Sequence, residues 1–175
     1  MNAFHLPLLI ITGSAPCVID DLTALALDDS AADFMAVGLD AVDKYPWRIK
    51  YVVTYHPDEI PQFKPRRAKA GGNTDFLVIS HIKQTEKGDP YAVDIVEPYQ
   101  APTGSSSLCG ALAGIRLGYD RIVLCGCPLD VKPYLVFQAG WTAKLKEVAG
   151  RVRSMSGWTK DLLGEPTEEW LNGGE

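Results

Sequence analysis

The sequence predicts an α/β domain with a mostly parallel sheet and helices on both faces, and three observations carry that expectation. Short apolar runs alternate with longer stretches that repeat apolar residues at helical spacing, the pattern of βαβ units. Most of these runs are apolar nearly throughout, as strands buried on both faces require. Several stop at glycine, histidine or aspartate, residues suited to the turn that leaves a strand. At 175 residues, one globular domain is the economical reading, with no need of a disulfide or metal staple.

Leu8 to Thr12 reads as the first strand. It stops at Gly13-Ser14-Ala15-Pro16, after which Val18, Leu22, Leu25 and Ala26 recur at helical spacing, with Asp20 and Asp21 in the first turn where the helix dipole favours anions. Phe34 to Leu39 is a second strand ending at Asp40, and Ile49 to Tyr55 is a β-branched and aromatic third strand ending at His56-Pro57. Asp58 to Ala70 is helix-compatible, with Pro61 and Pro65 confining the regular part to its later half and Gly71-Gly72-Asn73 closing it. Phe76 to Ser80 is the fourth strand, followed by His81.

Lys83 to Pro90 is polar and turn-rich, and the alternation in Tyr91 to Val96 suggests an edge strand with one wet face. Ser105 to Leu117 is the clearest helix, with Leu108, Ala111, Leu112 and Ile115 on one face and Gly110 and Gly114 permitting close approach to a sheet. Arg121 to Cys125 is a buried strand ending at Gly126-Cys127-Pro128-Leu129-Asp130. Phe137 to Leu163 reads as two helical pieces separated near Ser154 to Gly157, followed by an acidic tail after Pro166. Trp141, Trp158 and Trp170 are expected to pack or to form an oligomer contact.

Composition narrows the function classes. With 46% hydrophobic and 22% charged residues the chain is not disordered as a whole, and 17 basic against 22 acidic residues give a net charge of −5. That balance argues against a protein whose main partner is nucleic acid or an anionic membrane. The longest apolar run, Leu6 to Ile11, is broken by Pro7 and too short to span a bilayer, and no Lys or Arg precedes it as a signal peptide would require. The cytoplasm is the expected location. Cys17, Cys109, Cys125 and Cys127 lack the spacing of a disulfide scaffold, so reduced thiols are expected, and Cys125-Gly126-Cys127 has no second Cys/His pair to complete a zinc site. No metal site is assigned.

In an open parallel sheet the ligand lies beyond the carboxyl ends of the strands, where strand order reverses. That rule nominates Gly13-Ser14-Ala15-Pro16, Asp40, His56-Pro57-Asp58, His81, Gly104-Ser105-Ser106-Ser107 and Asp130. Gly13, Ser14 and Pro16 form a tight turn into a helix N-terminus, which suits a phosphate and equally serves as a small-residue packing turn. It is neither Gly-x-Gly-x-x-Gly nor a Walker A loop. Gly104 followed by Ser105, Ser106 and Ser107 offers backbone N–H and hydroxyl donors to an anion, although one serine must cap the helix.

His56 and His81 each follow a strand, so both belong to the same rim as general base, phosphate ligand or ordinary rim histidine. Asp40, Asp58 and Asp130 suit ribose hydroxyls or a divalent ion, and also suit turns. No Gly-x-Ser-x-Gly elbow supports acyl transfer. Lys64-Pro65-Arg66-Arg67-Ala68-Lys69 and Arg151-Val152-Arg153 are basic clusters that either form solvated faces or close over an anion.

At Gly13-Ser14-Ala15-Pro16, and above all at Gly104-Ser105-Ser106-Ser107-Leu108-Cys109-Gly110 with Leu117-Gly118-Tyr119-Asp120-Arg121-Ile122-Val123-Leu124-Cys125-Gly126, the chain resembles a Rossmann-like superfamily. That group includes archaeal 6-hydroxymethyl-dihydropterin pyrophosphokinase, related domains of unknown function and bacterial sialyltransferases. The resemblance spans roughly residues 8 to 130, with Ala15 in place of a glycine, Cys17 in place of a serine and Asp40 in place of an asparagine. Gly150 to Thr159 is similar to small phage- and prophage-encoded proteins.

The resemblance implies a nucleotide or nucleotide-sugar bound between the Gly13 loop and the Ser105 helix start, with transfer of a sugar or a pyrophosphoryl group. A sialyltransferase relative would use a histidine base, for which His56 and His81 are placed, with Asp130 a further catalytic candidate. A pyrophosphokinase relative would require Mg²⁺, with Asp40 and Asp130 as ligands. A non-catalytic nucleotide-binding or phage assembly protein is the third reading. Residues 1–165 are expected to form one Rossmann-like domain, helical from about residue 134, with 166–175 as the tail. A homodimer is the expected oligomer, on the general frequency of symmetric pairs.

Overall fold

All five residues of the most apolar run, Leu8–Thr12 (β1), are buried, because the strand is hydrogen-bonded on both edges and covered on both faces. The computed structural model describes residues 8–27, 29–84, 88 and 90–174; the N-terminal run ahead of Leu8 and part of the polar 83–90 stretch lie outside them. The remaining strands are β2 (Ala32–Val37), β3 (Tyr51–Thr54), β4 (Leu77–Ser80), β5 (Ile95–Val96), β6 (Ile122–Cys125) and β7 (Val152–Ser154). They form one seven-stranded sheet in the order β5-β4-β3-β2-β1-β6-β7, and every described pairing is parallel. The expected α/β fold is therefore present as a single domain.

The two-residue side-chain period sends alternate strand positions to opposite layers. Leu8, Ile10, Val52, Val78, Val123 and Cys125 pack beneath α1 (Val18–Leu25) and α2 (Ile60–Lys69). Leu9, Ile11, Tyr51, Val53, Ile79, Ile122 and Leu124 pack on the other face beneath α3 (Ser106–Arg116) and α4 (Gln138–Val148), with Trp141 fully buried among them. The α3 glycines let the helix backbone settle onto the sheet. A Cβ at Gly110 would stand 2.8 Å from Met35 Sδ, and one at Gly114 2.7 Å from Leu9 Cδ2.

Four elements differ from expectation. Pro65 lies inside α2, which runs continuously from Ile60 with Pro61 near its start. The lost Pro65 N–H leaves only the carbonyl of Pro61, in the first turn, without its helical donor. Between the two expected C-terminal helices, Val152–Ser154 forms β7 and extends the sheet beyond β6. After α5 (Gly157–Leu163), the acidic stretch folds into a short helix α6 (Glu168–Leu171), capped by the Thr167 hydroxyl accepting from Trp170 N at 3.1 Å, which buries Trp170. The edge-strand expectation survives only in its last two residues, Ile95–Val96. Among the described residues no helix is long and apolar enough to cross a membrane.

Candidate functional site

Strand order reverses at β1, which has β2 on one side and β6 on the other, so a crevice opens at the carboxyl ends of β1 and β6. The turns that leave these two strands are bonded together. Gly13 N donates to Cys125 O at 2.8 Å, and Ala15 N donates to Gly126 O at 3.3 Å. The approach leaves no space for a side chain, since a Cβ on Gly13 would lie 2.1 Å from Gly126 O. Gly126 adopts φ +67°, a left-handed conformation natural to glycine. Buried Asp21 on α1 accepts from Gly126 N at 2.7 Å and from Ser156 Oγ at 2.8 Å, which ties the β6 turn to the helix. From the β2 side, the Tyr45 hydroxyl donates to Gly13 O and Lys44 Nζ donates to Ser14 O at 3.0 Å.

The start of α3 forms the facing wall. Ser105 is the N-cap, its Oγ accepting from Leu108 N at 3.4 Å and lying 3.0 Å from Ser107 Oγ. Ser106 Oγ accepts from Tyr55 N at 2.8 Å, joining the helix start to the end of β3. Gly104 lies against the Tyr55 ring, where a Cβ would come within 2.3 Å of it. The other side of this cluster is aromatic: Tyr55 stacks on His81 at 3.8 Å between centroids and meets Tyr99 edge-on.

Between the walls lies a cleft of about 320 Å³, lined by Gly13 to Pro16, Val37, Tyr55, His56, Gly104 to Ser107, Gly126 to Leu129, Val131, Tyr134 and Phe137. The turn that leads into α1 and the N-terminus of α3 line it, and the α3 start offers backbone N–H groups and the positive end of a helix dipole. Among the described residues no Lys, Arg, Asp or Glu lines it. The arrangement suits a phosphate held by N–H and O–H donors, with an apolar wall for the rest of a ligand.

Of the residues nominated by sequence, Gly13, Ser14, Pro16, Gly104, Ser105, Ser106, Ser107 and His56 all line this cleft. Three do not. His81 stands behind Tyr55 with its Nδ1 buried and without a hydrogen-bond partner; burial, and secondarily neighbouring His56, hold its pKa below the ordinary imidazole value. Asp40 is exposed on the β2 connection, 3.8 Å from Arg66. Asp130 is exposed beside the Gly157 turn. Neither aspartate is placed to hold a metal in the cleft, and among the described residues no group of three His, Cys, Asp or Glu side chains forms a metal site.

The basic clusters do structural work. Arg67 is buried and donates to the carbonyls of Val42, Tyr45 and Trp47, while Arg66 pairs with Asp43 at 2.5 Å. Arg153 donates to Leu163 O and lies over the Trp170 ring. All four cysteines are free. Burial pushes the Cys127 thiol, at the cleft wall, up to about 12, and burial also raises Cys17, so neither is an activated nucleophile. Sequence reasoning missed the third wall, Leu129 to Phe137, and the Lys44-Tyr45 clamp. The only signal for the wall was its density of large apolar side chains in a turn region.

No protein-family model matches the chain, and no curated protein matches it, so neither the pyrophosphokinase branch of the resemblance nor a phage origin gains support from that side. Among solved structures the chain is similar to the sialyltransferase CstII from Campylobacter jejuni in complex with a substrate analogue, cytidine-5'-monophosphate. The match has a TM-score of 0.61, covers 97% of this chain and 88% of that one, and carries 13% identity. At that identity the similarity establishes the shared Rossmann-like fold.

Proposed function

We propose that this chain binds a nucleotide or nucleotide-sugar in the cleft between the Gly13 turn and the Ser105 helix start, and transfers the sugar to an acceptor hydroxyl. The observation that carries the reading is a cleft at the sheet's reversal point with the Gly13-Ser14 turn that leads into α1 on one side and the Gly104-Ser105 start of α3 on the other. The fold is shared with a sialyltransferase solved with cytidine-5'-monophosphate, which makes a nucleoside monophosphate the first ligand to test.

In the proposed transfer, the acceptor oxygen forms a bond to the anomeric carbon as the bond from that carbon to the phosphate oxygen breaks. The nucleoside monophosphate leaves with the electron pair. His56, the exposed histidine on the cleft wall, takes the acceptor proton. The α1 and α3 N-termini stabilise the charge that develops on the departing phosphate. Diphosphoryl transfer is less well supported, because it relies on carboxylates to hold Mg²⁺ and both candidates, Asp40 and Asp130, stand outside the cleft.

The test is thermal unfolding against CMP, UMP, UDP and ATP, each with and without Mg²⁺. A ligand at a hundred times its Kd adds about 2.7 kcal/mol, which raises the midpoint of a chain this long by roughly 5 to 10 °C. A metal-independent rise with a pyrimidine monophosphate supports the reading, a rise confined to ATP with Mg²⁺ favours diphosphoryl transfer, and no rise with any of them overturns nucleotide binding.

A further inference from the structure

Among the described residues the cleft's lining carries no lysine or arginine, yet one lysine is fastened to the turn that leads into α1 and lines it. Lys44 and Tyr45 are consecutive residues that bond consecutive carbonyls, Tyr45 OH to Gly13 O and Lys44 Nζ to Ser14 O at 3.0 Å. Tyr45 is buried, so the backbone that carries Lys44 is held against the turn, whereas Lys44 itself is exposed. An ammonium has three donors, and Ser14 O engages one of them.

Among the described residues Lys44 makes no ion pair, in contrast to its basic neighbours. Arg66 is engaged by Asp43 and Asp40, and Arg67 by three backbone carbonyls. Lys44 is thus a cation uncommitted to a carboxylate, anchored to a residue that lines the cleft.

We propose that Lys44 is the phosphate-neutralising residue of this cleft, selecting a phosphorylated ligand over the corresponding nucleoside. The proposal rests on the nucleotide reading above. With a phosphate seated at the α1 N-terminus, the Lys44 ammonium keeps its bond to Ser14 O and turns a second N–H toward a phosphate oxygen, an interaction stronger than a neutral hydrogen bond.

Titration calorimetry with CMP and with cytidine, on the wild type and on Lys44→Gln, Lys44→Arg and Lys69→Gln, tests this. Lys44→Gln keeps a donor for Ser14 O while removing the charge. It is expected to weaken CMP by about tenfold, to leave cytidine within about twofold, and to flatten the salt dependence of CMP binding. Lys44→Arg retains most of the CMP affinity, and Lys69→Gln, a change to an exposed lysine at the end of α2 outside the cleft lining, alters neither ligand.

Undiminished CMP affinity in Lys44→Gln overturns the assignment while the nucleotide reading stands. Equal losses for CMP and cytidine also overturn it, because they indicate positioning of the turn instead of charge. A loss of similar size in Lys69→Gln also overturns it, because it indicates a general effect of net charge. A wild type that binds no CMP removes the nucleotide reading and this assignment together.

Discussion

Gly13→Ala tests the architecture of the site directly, because Gly13 is where the two central turns touch. The added Cβ would stand 2.1 Å from Gly126 O, 2.7 Å from Cys127 Sγ and 2.9 Å from the Gly126 carbonyl carbon, whereas ordinary contact begins at 3.4 Å. Two of these three atoms are backbone, so no rotamer change relieves the clash. The Gly126 carbonyl must retreat by about an ångström, which breaks the 3.3 Å bond from Ala15 N and strains the 2.7 Å bond from Gly126 N to Asp21. Overpacking costs about 1 to 3 kcal/mol and one lost hydrogen bond about 1 more, so the variant should lose roughly 2 to 4 kcal/mol. In urea the midpoint falls at constant slope, and the thermal midpoint drops by roughly 5 to 15 °C. Gly71→Ala is the comparison: its φ of +77° imposes strain of about 1 to 2 kcal/mol, but no atom lies within 4 Å of the new Cβ. A Gly13→Ala protein within about 0.5 kcal/mol of wild type, or less damaged than Gly71→Ala, would refute the close apposition of the two turns.

Other substitutions probe other layers. Glu97, 2% exposed after β5, is shifted above the usual carboxylate pKa by burial, which Arg116 at 3.2 Å only partly offsets. The folded state therefore holds this proton more tightly than the unfolded one, and the carboxyl's contribution to stability is present at low pH and lost as pH rises through the raised value. Glu97→Gln should gain on wild type in urea titrations as pH rises above about 4, and a wild-type advantage that grows with pH would mean that the Arg116 pair dominates instead. Arg67→Met removes three donors to buried carbonyls and should cost about 3 to 5 kcal/mol, a figure that a loss below about 1 kcal/mol would contradict. His56→Asn should lower kcat for sugar transfer by about a hundredfold or more while CMP affinity holds within about twofold; unchanged turnover excludes His56 as the base.

The elements most readily read from sequence are those whose environment is uniform. β1 and β6 are buried along their whole length, so composition alone reveals them. β7 escaped notice because its three residues are Val152-Arg153-Ser154 and the arginine disguises the strand. Arg153 is tolerated there because it leaves the sheet toward Leu163 O and the Trp170 ring, a tertiary fact with no local trace. Thr167-Glu168-Glu169-Trp170 did carry a local signal for α6, a hydroxyl cap with acidic residues in the first turn, which the overall acidity of the tail obscured.

At the site, the strand-end rule succeeded for residues that follow a strand at once near the reversal point and for Gly104 to Ser107, where the loop beyond β5 returns to the sheet to start α3. Gly13 follows β1 at once, and His56 lies two residues beyond β3. Asp40 and Asp130 lie several residues beyond the ends of β2 and β6, far enough for the chain to turn out to solvent. His81 follows β4 directly, but β4 is three strand spacings from β1, about 14 Å, against about 10 Å for β3. That one-strand difference separates the histidine that lines the cleft from the one that supports Tyr55 from behind. Strand order is set by crossover connections and long-range pairing, so the sequence names the candidates for such a rim while the topology chooses between them. His56 is thereby the histidine to mutate first for chemistry, and His81 the one whose loss should disturb the Tyr55 ring and the Gly104 packing against it.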